Sequence, residues 1–438
     1  MSEMGDKMEF KCLVSIMHYG INARFVFPGL LILFMIMGFL GLFTVSAQSW
    51  PEPYEGYYLY LGNNPDNAQT QWGKAVQGLA HDENNWFIAE TGEIWKVPVK
   101  EDLYYADDST EGVIHVFRRD IPILADSLYD HWGDLDYYKY NGVGYLLVPL
   151  ENNDRAAKPA LAVFRSDNLD FVNYTLLPYQ NDASWVAVDP SGDIYSDAPG
   201  DTGFLKYRID WEKVYKNNQV VLQSLGNFSY LDESRNPITL EMMQGGSISP
   251  SGTLLYIVSG AYDHHAGNDG INVFDLQTGR RVQSSTDDGY FNYYFSSGSP
   301  LWQEPEGATI WDMDTFPQNE RGGINGQLHV LLLENHKNAE DNIWINHYTN
   351  IIQIDGAYAG SEQKGTPTAP FKTIGGGNNM AWDGARLKIK GGSYPEKPTF
   401  NKHIQILADS SNVHIGGRIL LSPTGAINLA KEGVLKII

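Results

Sequence analysis

The feature that most constrains this chain is a recurring strand-and-turn unit, fullest at Gly246-Ser-Ile-Ser-Pro-Ser-Gly-Thr-Leu-Leu-Tyr-Ile-Val-Ser-Gly260 followed by Gly270-Ile-Asn-Val-Phe-Asp-Leu-Gln-Thr-Gly279. Short β-branched runs punctuated by Gly, Pro and Ser read as strand, turn, strand, loop, strand and turn. The same punctuation returns at Trp185-Val-Ala-Val-Asp-Pro-Ser-Gly-Asp-Ile-Tyr195 and at Gln77-Gly-Leu-Ala-His-Asp82 before Trp86-Phe-Ile-Ala. Two further copies begin at Gly133-Asp-Leu-Asp-Tyr-Tyr138 and at Ala308-Thr-Ile-Trp-Asp312. The candidate innermost strands follow one another at roughly 50 to 60 residues, somewhat above the ~40 to 50 of short repeats.

A repeat of this kind predicts an all-β fold built as a five-bladed β-propeller. A strand at Tyr54-Glu-Gly-Tyr-Tyr-Leu-Tyr-Leu61 precedes the first full copy. It is expected to complete the last blade and leave no free edge, with Ile343-Trp-Ile-Asn-His-Tyr348 and Ile351-Ile-Gln-Ile354 as its natural partners. Six blades is the alternative, if that strand begins a blade of its own. Composition agrees: 44 Gly and 13% aromatic residues accompany few helix-period runs.

The first 49 residues read differently. Lys7, Lys11 and Arg24 precede Phe25 to Val45, a run without charge, and Val45-Ser46-Ala47 supplies the small residues that a signal peptidase accepts. Export is therefore expected, with an uncleaved anchor as the alternative, since such a run is long enough to span a bilayer. The membrane is expected as a partner only through this segment. The single cysteine, Cys12, lies inside it, so neither disulfides nor a thiol nucleophile are expected in the remainder.

The net charge of −22 is unevenly placed. From Ala359 onward ten Lys and Arg stand against five Asp and Glu, leaving +5 in the tail and −27 in the rest. The split supports a boundary near residue 359 and argues against nucleic acid as a partner of the acidic body. The domains are then 1–49 as leader or anchor, 50–356 as propeller and 357–438 as a separate C-terminal unit.

Gln77-Gly-Leu-Ala-His-Asp with Asn84-Asn-Trp86, His131-Trp-Gly-Asp134, Gln244-Gly-Gly-Ser-Ile-Ser-Pro-Ser-Gly252 and Glu304-Pro-Glu-Gly307 carry a resemblance. Over about residues 54 to 355 the body resembles exported bacterial propeller proteins of the YVTN and WD-like kind, whose activity is mostly unassigned. After Ala359, Pro370-Phe-Lys-Thr-Ile374, Gly392-Ser-Tyr-Pro-Glu396 and Ile404-Gln-Ile-Leu-Ala408 resemble the first coils of a right-handed parallel β-helix of the pectate-lyase-like kind. The resemblance would place calcium-binding acids and a catalytic base on later coils, for which these residues leave no room, so lyase activity is not expected. Arg386, Lys388 and Lys390 alternate with Leu387 and Ile389, which puts three cations on one strand face. That face either holds an anionic glycan or is simply the solvated side of the strand.

No phosphate-binding Gly-rich loop, His-Glu-x-x-His, Gly-x-Ser-x-Gly elbow or EF-loop occurs, and no cofactor or metal is expected. His264-His265 with Asp263 and Asp269 is only a weak metal signal. What remains are polar residues at the heads of innermost strands. Asp134 and Glu306 are the candidate catalytic pair, because glycoside hydrolysis needs two carboxyls about 5 to 10 Å apart, and His131 is a neighbour able to tune either. Gln77, His81, Trp132, Asp136, Gln244 and Glu304 are candidate ligand-binding residues, along with the three cations. The competing reading has Asp134 and Asp136 satisfying backbone amides. Trp72, Trp86, Trp132, Trp185, Trp302, Trp311 and Trp344 are expected either to pack between sheets or to stack on sugars. Two functions follow as expectations: an exported recognition protein binding a glycan or a cell-envelope protein through a propeller face, or a glycan hydrolase using channel carboxyls.

Overall fold

The computed structural model describes residues 57–438 except 126, 261–268, 286–302, 335–340, 382–384, 401–402, 417–419, 422–425, 430–434 and 438. The first 49 residues, expected to be a leader or an anchor, the His264-His265 pair and Trp302 lie outside the described residues. Strand β1 is Tyr57–Asn63. One antiparallel sheet then holds β2 (Val76–His81), β3 (Asn85–Glu90), β4 (Glu93–Pro98) and β5 (Ile114–Phe117). The next holds β6 (His131–Trp132), β7 (Asp136–Tyr140), β8 (Val143–Glu151), β9 (Ala160–Arg165) and β10 (Phe171–Leu176). A third holds β11 (Val186–Val188), β12 (Asp193–Asp197), β13 (Gly203–Ile209) and β14 (Leu222–Ser229), and a fourth β15 (Met243–Ile248), β16 (Leu254–Ser259), β17 (Gly270–Asp275) and β18 (Arg281–Ser284).

These four sheets are discrete blades in a propeller-like arrangement, and the blade count therefore differs from the five expected. The strands expected for the fifth, β19 (Gln303–Ile310), β20 (Leu328–Glu334) and β21 (Asn342–Ile354), belong to an eight-stranded mixed sheet. Strand β1 pairs antiparallel with β21, Tyr58 opposite Asn350 and Tyr60 opposite Tyr348, so it begins no blade of its own. The innermost strands touch in a closed circuit: β2 beside β7, β7 beside β11, β11 beside β15, β15 beside β19, and β19 beside β2.

The mixed sheet changes character within β21. Its last residues pair parallel with β22 (Arg386–Tyr394), Ile351 opposite Arg386. Beyond it come β24 (His403–Ile415), then β26 (Ala426–Leu429) and β27 (Leu435–Ile437), all parallel, while β23 (Thr399–Phe400) and β25 (Leu420–Leu421) form a small second parallel pair. Leu387, Ile389, Ile404, Ile406, Val413 and Ile415 bury one row of side chains along this ladder.

Apolar clusters fill the gaps between neighbouring sheets, each drawing side chains from both. Trp72, Trp86, Trp132 and Trp185 are completely buried in them, and Trp311 and Trp344 nearly so. Core packing is thus what these tryptophans do; fully burying a large apolar side chain stabilises by ~1.5–3 kcal/mol, and stacking on sugar does not apply to them.

Candidate functional site

Three innermost strands carry a bulge at one equivalent place. The pairing register slips between Val76 and Gly78, between Met243 and Gly245, and between Pro305 and Gly307, leaving Gln77, Gln244 and Glu306 as the extra residues. The glycine after each bulge lets backbones meet at the axis. A Cβ on Gly78 would stand 2.5 Å from Asp134 Cα, and one on Gly245 would stand 2.6 Å from Gly307 Cα.

Asp134 occupies that axis with no exposed surface. Its Oδ1 accepts the Leu79 amide at 2.9 Å, and its Oδ2 accepts the amides of Gly246 at 2.9 Å and Ala308 at 3.4 Å. Its backbone N–H donates to Ser184 O at 2.8 Å, and its carbonyl accepts from Val186 N–H at 3.1 Å. One residue thereby ties its own blade to β2, β15 and β19 and to the start of β11. Burial pushes the carboxyl pKa up, while the three amides pull it back. The carboxyl expected to be catalytic is sealed from substrate, so a pair of Asp134 with Glu306 across an open channel is not formed.

The other candidates separate to the two ends of the strands. Near the starts of β2, β15 and β19 lie Gln77, Gln244, Glu304 and Glu306. Gln77 turns its amide back onto Val76 O at 3.0 Å. Glu306 is buried and hydrogen-bonds to Glu304; burial first, then the Glu304 charge, drives its pKa well up, and its Oε1 has no hydrogen-bond partner. His131 does not serve Asp134, because its Nδ1 stands 3.5 Å from Glu151 Oε2. Trp132 packs against Phe164 with ring centroids 5.7 Å apart.

At the far ends of the same strands the axis opens into a depression of about 250 Å3, whose walls include His81, Asp136, Tyr138, Ser247 and Thr309. His81 is held as a wall. Its Nδ1 lies 2.9 Å from Asp82 O, its Nε2 lies 3.0 Å from Ile310 O, and its ring stacks on Trp311 at 4.4 Å. Burial lowers its pKa. Asp136 accepts the Tyr137 and Val188 amides at 2.7 Å each, one per oxygen, so each oxygen keeps a lone pair for another donor. Burial pushes its pKa up to about 7, against the pull of those amides. The Ser247 and Thr309 hydroxyls make no hydrogen bond among the described residues. Carboxyl, two unengaged hydroxyls and a tyrosine at one concave point form the kind of polar set that orients a small ligand. Of the residues singled out from the sequence, only His81 and Asp136 meet here. Ser247 and Thr309 are not singled out by the sequence reading, although each stands three residues beyond a bulge residue, Gln244 and Glu306.

Of the three cations of β22, Arg386 is buried, whereas Lys388 and Lys390 remain solvated and each stands beside an acid. Arg386 is ion-paired with Asp314 and bonded through Nε to Gln405 Oε1 at 2.6 Å. Lys388 stands 3.6 Å from Asp409, and Lys390 stands 2.6 Å from Asp355. Among the described residues no three His, Cys, Asp or Glu side chains are placed to hold one metal ion.

No protein-family profile matches this chain, and no curated protein is similar to it in sequence. Solved structures similar to it include the Dos1 propeller, at 13% identity over 62% of this chain and 67% of that one, with a TM-score of 0.30. A GH43 β-xylosidase/α-arabinofuranosidase from a compost microbial metagenome, in complex with xylotriose, is 12% identical over 67% of this chain and 95% of its own, TM-score 0.36. The tail fiber of Staphylococcus aureus phage P68 is 12% identical over 67% of this chain and 53% of its own, TM-score 0.35. The fold therefore rests on the strand pairing of this chain itself.

Proposed function

We propose that this chain is an exported recognition protein that holds a glycan of the cell surface in the axial depression. The observation that carries the reading is the meeting of Asp136 with the unengaged hydroxyls of Ser247 and Thr309. Carboxylate and hydroxyl groups beside a tyrosine ring suit the hydroxyl-bearing, half-apolar surface of a sugar. In this reading β19–β21 and β1 act as the fifth blade, which the closed circuit of innermost strands supports. The parallel strands from β22 onward act as the opening coils of a β-helix, separated near residue 357. The leader directs the rest out of the cytoplasm, by cleavage after Ala47 or as an anchor; N-terminal sequencing of the exported product distinguishes the two.

The test is a glycan array followed by calorimetry on the best binder. Ser247→Ala with Thr309→Val is expected to weaken binding about tenfold, the worth of one to two hydrogen bonds. An array without any glycan ligand overturns the reading, and a pull-down that instead yields an envelope protein reassigns the face to protein recognition. Hydrolysis is the second reading, favoured by the hydrogen bond between the Glu304 and Glu306 carboxyls and by the burial that raises the Glu306 pKa well above its ordinary value. It requires turnover of a polysaccharide panel that Glu306→Gln abolishes.

A further inference from the structure

At the opposite end of the strands from the axial depression, a hollow of about 300 Å3 opens between the first two blades, lined by Thr91, Gly92, Phe117, Arg118, Arg119 and Asp130. Its place follows from the pairing: Val76 on β2 stands opposite Glu90 on β3, so the turn at Thr91-Gly92 lies at the end of the strands away from His81. Backbone bonds fix the rim. Arg118 N–H donates to Gly92 O at 2.8 Å, and Trp132 N–H donates to Thr91 O at 3.2 Å. Thr91 and Arg118 are partly exposed and Arg119 and Asp130 exposed, so the polar groups of the hollow are open to solvent.

Both arginines are held in place without a compensating acid. Arg118 Nη1 donates to Tyr129 O, while its Nε and Nη2, the edge that grips a carboxylate in two-pronged fashion, make no hydrogen bond among the described residues. The Arg119 guanidinium lies over the Phe117 ring, its Cζ 3.9 Å from the ring centroid. Neither stands in ion-pair contact with an acid among the described residues, whereas Arg155, Arg165, Arg208, Arg281, Arg321 and Arg386 each do. In a chain with 53 Asp and Glu against 31 Lys and Arg, acids are abundant, yet this pair of cations is left to an anion from outside. Asp130 shares the hollow. Its Oδ1 accepts from Asn153 N–H at 3.0 Å and from Asn152 Nδ2 at 3.3 Å, and its Oδ2 makes no hydrogen bond among the described residues. The Thr91 hydroxyl is equally unengaged. A doubly charged phosphate would meet repulsion from Asp130, and a bare ion would leave much of the volume to water. A ligand with one carboxylate flanked by hydroxyls meets every group: the two guanidiniums take the carboxylate, and Asp130 Oδ2 and the Thr91 hydroxyl take the ring hydroxyls.

We propose that this hollow binds a sugar acid, its carboxylate gripped by Arg118 and Arg119 and its hydroxyls by Asp130 and Thr91. The site is separate from the axial depression and does not rest on the reading of that depression. The test is calorimetry at low salt on the full chain, titrated with sodium glucuronate, glucose, sodium acetate and sodium phosphate. Glucuronate is expected to bind, glucose not to, and acetate, a carboxylate without hydroxyls, to bind more weakly than glucuronate. Arg118→Lys, which keeps the charge and loses the two-pronged edge, and Arg119→Gln, on an exposed side chain, are each expected to weaken glucuronate about tenfold, the worth of a hydrogen bond between charged groups. Ser247→Ala with Thr309→Val, at the axial depression, is expected to leave that affinity unchanged. No heat from glucuronate, glucose binding as tightly, acetate or phosphate binding more tightly, or affinity untouched in both arginine variants would each overturn it.

Discussion

Asp134 shows how a residue type that suggests chemistry can be spent on architecture. Asparagine at this position has one acceptor oxygen where aspartate has two, and its amide group would point hydrogens at the amide hydrogens of β2 or of β15 and β19. Each buried amide left unpaired costs about 1–3 kcal/mol, so Asp134→Asn is expected to lower the urea midpoint by a corresponding amount; a variant as stable as the parent would contradict the pin. Glu90 offers a second test. Burial, reinforced by Glu93, pushes its pKa from 4.5 to about 8. The folded chain holds that proton more tightly than the unfolded chain does, so this group's contribution falls as pH rises from about 4.5 toward 8. Glu90→Gln is expected to flatten the pH slope of stability over that window, read by denaturation at several pH values. The Asp134-Leu-Asp136 spacing was legible in the sequence as two polar groups at strand heads. Which of them would be sealed was not, because the sealing comes from Gly78, Gly245 and Gly307 on other strands, at distances in sequence that no local pattern reports.

Among the elements, β1 was the most legible. Its alternating aromatic residues and its place before the first repeat announced a strand without a partner nearby, and it pairs within the stretch of β21 anticipated for it. Tyr58 is completely buried and its hydroxyl bonds that of Tyr256, while His347 Nε2 sits 3.0 Å from Asn64 O just past the strand's end. Removing Tyr57–Asn63 bares one long edge of β21, and such an edge recruits other chains. The shortened protein is expected to elute as dimers or larger species in size-exclusion chromatography; a monomer with an unchanged melting midpoint would show that the strand does not close the ring. The bulges were only half legible. Gln77-Gly78, Gln244-Gly245 and Glu306-Gly307 are visible as recurring pairs, but a slip in register is a property of two strands together.

On the scale of the whole molecule, the parallel extension is held to the antiparallel part by more than the shared strand β21. Arg386 on β22 is paired with Asp314 and bonded to Thr349, linking the extension to the segment that follows β19. Breaking a buried pair by removing one partner costs ~3–5 kcal/mol. Arg386→Ala is therefore expected to expose the strands from β22 onward to limited proteolysis while the blades stay resistant; equal resistance throughout would show the pair to be dispensable. The charge split near residue 359 was legible; the parallel pairing of β21 with β22 across it was not, because pairing is a property of two strands together. The axial pin also bears on the order in which the chain can be built. Asp134 waits for partners 55 residues before it and 112 and 174 residues after it, so a polypeptide emerging from its amino end holds an unsatisfied centre until residue 308 arrives. Assembly of the ring is consequently a late, all-or-nothing event, slow in the way of folds made from distant pairings, and early release of the nascent chain leaves separate sheets with no centre to assemble around.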